Sequence, residues 1–226
     1  GAVQIGGASD STLNVVPTCG DKVLMSFGGS GFQHLTAATR CSVGVKAGRY
    51  LYEVRLVERR TMPEQGKHAP RQSCAIGFST RESPLIFGGE GSESVAFDSE
   101  GYFAERGVWS QRRLFDRFAP YHKVYGVLLN LDPESPHCHT VSLFCDGKRM
   151  CKPQALPESM RGKVLYPAVN YKNTTLQVNF GPTSSAEMPF ACRMLTDAAV
   201  ADVEVRPART SEKPEVVFPV SLPDEG

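Results

Sequence analysis

The sequence predicts an all-β protein built as two packed antiparallel sheets. Three observations carry this: short alternating or apolar runs recur between Gly, Pro and Asn clusters, helical periodicity is scarce, and acid-glycine pairs suited to tight hairpins separate several runs. Roughly eleven such runs in about 170 residues are enough for a sandwich.

The runs TLNVV (12–16), VLMSF (23–27), TAATRCSV (36–43) and YLYEVRLV (50–57) come first. In the last, Tyr50, Tyr52, Val54 and Leu56 share one face while Leu51, Glu53 and Arg55 share the other. That strand is expected to pack on one side and face water on the other. The stretch leading into it, GVKAGRYLYEV (44–54), suggests a phosphate-cradling loop but lacks the spacing and the Lys-Ser/Thr pair of one. Gly44 and Gly48 are read instead as bounding a tight turn.

CAIGFS (74–79), SVAFD (94–98) and GYFA (101–104) follow, and then VYGVLLNL (124–131), apolar on both parities and expected to be a central strand buried on both faces. TVSLFCD (140–146), VLYPAVNY (164–171) and TLQVNF (175–180) close the set. DSEG (98–101) and CDGK (145–148) are expected to supply hairpin turns. Polar insertions at 58–72, 105–113 and 132–139 are the predicted loops, where recognition on a rigid sandwich usually sits. Residues 1–11 are expected to be disordered, 12–195 to form the domain, and 196–226 to be a Pro-rich tail or linker. One short helix is expected within 188–204.

With 41% hydrophobic and 22% charged residues the composition is that of a globular domain. The 25 basic and 24 acidic residues interleave to a net charge of +1, so no global field draws the chain to nucleic acid or anionic lipid. No run approaches the length of a membrane span and the first residues lack a signal-peptide pattern, from which an intracellular protein is expected. Seven cysteines without a C-x-x-C pair read as buried free thiols.

Catalytic signatures are missing: GGSGF (28–32) is not the nucleophile elbow G-x-S-x-G, and no run pairs carboxylates as a sandwich glycosidase needs. HCH (137–139), with Cys145 and Cys151 downstream, lacks the paired spacing of a zinc site. No catalytic residue, metal or cofactor is therefore assigned.

The remaining candidates are Phe32, Arg60, Trp109, Arg112 and Tyr171, aromatics and arginines in or beside predicted loops and the usual anchors of protein interfaces. Phe32 and Tyr171 compete with a core role, since aromatics at strand ends commonly fold inward. Arg112 and Arg113 near the single tryptophan, Trp109, also suit single-stranded RNA, whereas Glu105 and Asp116 close by suit a solvated hairpin. A carbohydrate-binding sandwich is a third reading. NTT (173–175) is a formal glycosylation sequon, attributed to chance.

Several separated segments together resemble the SPRY family. They are SVGVKAGRYLYEVRL (42–56), CAIGFST (74–80), ESVAFDSEGYF (93–103), YGVLLNLD (125–132), TVSLFCDGKRM (140–150) and LYPAVNYKNTTLQVNFGP (165–182), in the order that family uses. The resemblance implies a curved antiparallel jelly-roll sandwich of the concanavalin type, without catalytic residues, monomeric as an isolated domain, that binds a partner protein or linear peptide through loops at one end. Segments 128–148 and 165–182 look like the nuclear members, of the heterogeneous nuclear ribonucleoprotein U and histone methyltransferase SPRY-subunit types, which implies a nuclear or cytoplasmic multidomain protein. In the methyltransferase subunit an arginine before the glycine-aromatic pair grips acidic partner sequence. Here Ala75 stands at that position, before Ile76-Gly77-Phe78.

Overall fold

The structure, a computed structural model, describes residues 3–5, 10–29, 31–60, 72–119 and 121–205. Seventeen strands follow in chain order: β1 (Val15–Thr18), β2 (Val23–Ser26), β3 (Ala37–Arg40), β4 (Val43–Val45), β5 (Gly48–Arg59) and β6 (Ser73–Ser79). Next come β7 (Ser94–Asp98), β8 (Phe103–Glu105), β9 (Val108–Trp109), β10 (Val124–Leu131), β11 (Thr140–Cys145) and β12 (Lys148–Arg149). The last are β13 (Gln154–Ala155), β14 (Tyr166–Lys172), β15 (Thr174–Asn179), β16 (Arg193–Met194) and β17 (Val203–Val205).

One sheet runs β1-β2-β15-β5-β10-β11-β12, with β13 beside β11 and β16 beside β5; the second runs β3-β14-β6-β7-β8-β9; β17 and β4 form a small separate pair. Inward residues of the first sheet, among them Tyr52, Val127 and Leu143, meet Ile76, Phe78 and Val169 of the second in one core. Tyr52 also donates its hydroxyl proton to the carbonyl of Gly77 at 2.9 Å, a hydrogen bond between the two sheets. As expected, every residue of β10 is buried.

The glycines near the start of β5 do different work. Gly48, at φ +77, turns the chain into β5, whereas a Cβ on Gly44 would lie 2.5 Å from Val164 Cγ1 and 2.7 Å from the Tyr166 ring. Gly44 is therefore required by packing and not by a turn. Asp146 and Gly147 (φ 47 and 77) form the expected two-residue hairpin, and Arg106 and Gly107 (φ 50 and 83) form another inside the predicted loop at 105–113. Both left-handed residues match the twist of the flanking strands.

Four expectations are corrected. The run TAATRCSV divides at Cys41–Ser42 into β3, in the second sheet, and β4, which pairs with β17. The supposedly wet face of β5 is covered over Leu51 and Glu53: Met188, Phe190 and Cys192 pack against Leu51, Leu128 and Phe144. The buried Glu53 carboxylate accepts hydrogen bonds from the backbone N–H of Ser185 (2.6 Å) and Ala186 (3.0 Å) and from Asn179 Nδ2 (2.8 Å). The cover is residues 182–194, remote in sequence from β5, so alternation within β5 carries no trace of it.

The N-terminus is the third correction. Ile5 is a core residue, and Gln4 and Ser42 are joined by two hydrogen bonds, to Ser42 Oγ (3.0 Å) and from Ser42 N–H (2.8 Å). The fourth is the segment 188–204, which holds β16, two 3₁₀ turns (Leu195–Asp197 and Val200–Asp202) and the start of β17. Residues 196–205 thus belong to the domain. The expected tail beyond residue 205 and the expected loop at 61–71 lie outside the described residues.

All seven cysteines are free thiols. Cys41 and Cys74 are fully buried, and burial pushes each thiol up to about 12. Cys19 is exposed. Alkylation in native buffer followed by mass mapping should label Cys19 first and Cys41 and Cys74 only on unfolding. A thiol ionises near 8.5 in the unfolded chain, so these two leave stability untouched below that pH. Between there and about pH 12 each removes roughly 1.4 kcal/mol per pH unit, because only the unfolded chain sheds the proton. Urea midpoints of the protein and of its Cys41→Ala/Cys74→Ala variant should diverge in slope above pH 9.

Candidate partner-binding surface

At one end of the sandwich four segments converge. The turn at 12–15 reaches the 27–36 loop through Phe27 N–H donating to Asn14 O (2.8 Å) and Asn14 Nδ2 donating to Leu35 O. Asn173, at the left-handed turn between β14 and β15, donates to Gln33 O (3.0 Å) and accepts from the Arg60 N–H (2.9 Å). This knitting fixes the backbone and leaves apolar side chains outward: Leu13 is 96% exposed, Leu35 54% and Phe27 48%. Phe32 is half-buried, edge-on to Phe27 at 5.4 Å between centroids, and Arg60 is half-buried, its Nη1 3.5 Å from Ser26 O.

Two of the sequence candidates, Phe32 and Arg60, therefore stand together. Tyr171 is next to them but has no exposed surface; its ring is in the core and its hydroxyl donates to Met25 O at 3.2 Å. It is not an accessible contact, and the core role wins because both sheets close over the end of β14. Phe27, Leu35 and Leu13 were missed, since only tertiary structure brings them beside Phe32. The sequon asparagine, Asn173, is buried and its side-chain amide is engaged, which removes it as a glycosylation acceptor in the folded domain.

Trp109 and Arg112 stand elsewhere. β3, beside the Phe32 end, and β9 are opposite edges of the same sheet, five strand spacings or about 24 Å apart. Trp109 is half-buried and packs on the outer face of that sheet, beside Phe87 and the alanines at 75, 96, 104 and 168. Arg112 is exposed, whereas Arg113 is 3.9 Å from Glu100 and lies over the Tyr102 ring. The arginine doublet expected to serve RNA is therefore split, one member being engaged inside the protein.

No protein-family model matches the chain. Among curated proteins it is 26% identical over 203 residues to the heterogeneous nuclear ribonucleoprotein U-like protein 2 of Mus musculus, covering 86% of this chain but only 26% of that relative's length. Among solved structures, the SPRY domain of human HERC1 superposes with a TM-score of 0.51 at 16% identity, over 73% of this chain and 91% of that one. A human SPRY domain gives a TM-score of 0.52 at 16% identity, over 74% and 94%. The fold is that of a SPRY domain.

Here the outer face of the second sheet is closed at Ala75. Ala75 is buried beneath the 80–93 loop, which is held by Asn170: its Oδ1 accepts the Phe87 N–H at 2.7 Å and its Nδ2 donates to Leu85 O at 2.8 Å. Arg40 holds the start of the same loop, donating to the carbonyls of Thr80 (2.6 Å), Arg81 (2.5 Å) and Ser83 (2.5 Å). Arg40, the buried cation of this face, is spent on its own backbone, and Ala75 adds none.

Proposed function

We propose that the domain is a non-catalytic protein-interaction module that seats an apolar segment of a partner protein on the end formed by residues 12–14, 27–29, 31–35 and Arg60. The observation that carries this is the outward placement of Leu13, Phe27 and Leu35 on backbone held by Asn14 and Asn173. A backbone held in this way has little further ordering to undergo on binding. Arg60 adds a guanidinium at the rim, and the SPRY folds it resembles support the same reading.

The test is affinity capture from cell extract with the domain and its Leu35→Glu and Phe32→Ala/Arg60→Ala variants, with and without ribonuclease. Partner recovery should drop about tenfold for both variants and be indifferent to ribonuclease, while thermal midpoints stay close to the parent's. Equal recovery by parent and variants would overturn the assignment, and loss of recovery on ribonuclease treatment would favour the RNA reading.

A further inference from the structure

β9 is the open edge of the second sheet. The two-residue turn at Arg106–Gly107 makes Glu105 and Val108 its flanking pair, and the Ser110 N–H donates to Phe103 O at 2.8 Å. Antiparallel ladders alternate between bonded and non-bonded pairs, so the N–H and C=O of Trp109, lying between these two, point away from β8. Among the described residues neither group has a hydrogen-bond partner, and neither does the indole N–H. Beside them runs a groove of about 580 Å³ whose lining includes Phe103, Arg106, Val108, Trp109 and Gln111. Val108 is 72% exposed in it.

We propose that this edge takes an extended acidic segment of a partner protein as one more antiparallel strand, its side chains lying alternately beside Trp109 on one face and Val108 on the other. This goes beyond the end-surface reading and uses none of its residues. Charge selects the occupant: Arg106 and Arg112 are exposed and neither forms an ion pair among the described residues, while Glu105 is the single acid in the groove lining. The neighbouring cations Arg113 and Arg117 already share Glu100. The Trp109 carbonyl needs a donor and its N–H an acceptor, which a peptide backbone supplies together at the pitch of a strand. Strand addition gives affinity through the main chain and specificity through alternate side chains.

The probe is a capped synthetic pentapeptide, Glu-Val-Glu-Val-Glu, titrated into the ¹⁵N-labelled domain alongside the same peptide N-methylated at every residue and a six-nucleotide oligouridylate. The unmodified peptide should shift the Trp109 amide and indole signals saturably at about millimolar concentration, and N-methylation should weaken it about tenfold or more. Arg106→Asn/Arg112→Ala should weaken it about fivefold. Phe32→Ala/Arg60→Ala, which tests the other surface, should leave it unchanged. Equal binding of both peptides, shifts confined to the 27–35 segment, preference for oligouridylate, or no shift at Trp109 would each overturn the proposal.

Discussion

Gly77→Ala should destabilise the domain by about 4 kcal/mol or more, enough to leave little folded protein at 37 °C. A Cβ at this position would lie 1.9 Å from the carbonyl oxygen of Val95 and 2.7 Å from the Cα of Ala96. Both are backbone atoms of β7, fixed by pairing on their other side to β8. Neither has a rotamer to change, so β6 and β7 must separate in the middle of the sheet, and the inter-sheet hydrogen bond from Tyr52 to Gly77 O is strained with them. Gly89→Ala is the control: nothing lies within 4 Å of its added Cβ, and its effect should stay within about 0.5 kcal/mol. Urea midpoints of the two variants measure the contrast; a Gly77→Ala protein as stable as Gly89→Ala would show that the sheet opens without cost.

Arg40→Ala should cost about 3–5 kcal/mol. Its side chain is almost wholly buried, and burial lowers its pKa while Glu82 and Tyr166 act in the opposite direction. Three carbonyls converge on the fork, and Asp10 Oδ2 lies 3.7 Å from Nε. Removal leaves those carbonyls without a donor and frees the loop whose Phe87 roofs the alanine face. Lysine presents a point charge in place of a planar fork, so Arg40→Lys should recover less than half of the loss. Amide exchange across 80–93 should accelerate in both variants ahead of global unfolding; unchanged protection there would show that Asn170 alone holds the loop.

Legibility follows the range of the interactions. β10 is readable because burial on both faces writes apolar residues at every position, and the Asp146–Gly147 hairpin because its chemistry is local. The Arg106–Gly107 hairpin escapes because arginine there does not advertise a left-handed backbone. Glu53 reads as solvent-facing, since what buries it arrives from residues 185 and 186. At the candidate surface, Phe32 and Arg60 are identified by residue type alone, and type also suggests Tyr171, whose ring turns inward. Trp109 stands out as an anchor by type, yet the main-chain groups that distinguish its strand come from position in the sheet, which no residue type encodes.

Gln4 is bonded to Ser42 and Glu204 stands opposite Gly44, so the described chain enters and leaves at nearly one point. β3 runs from the Phe27–Leu35 end toward that point. Both points thus lie away from the apolar end. Tension between the two points would act across the β17–β4 ladder, whose bonds lie perpendicular to the strands and would break in succession like a zip. Tyr166 of β14, whose hydroxyl donates to Glu204 Oε1 at 3.0 Å, ties the middle of that ladder to the second sheet and would take up part of the load.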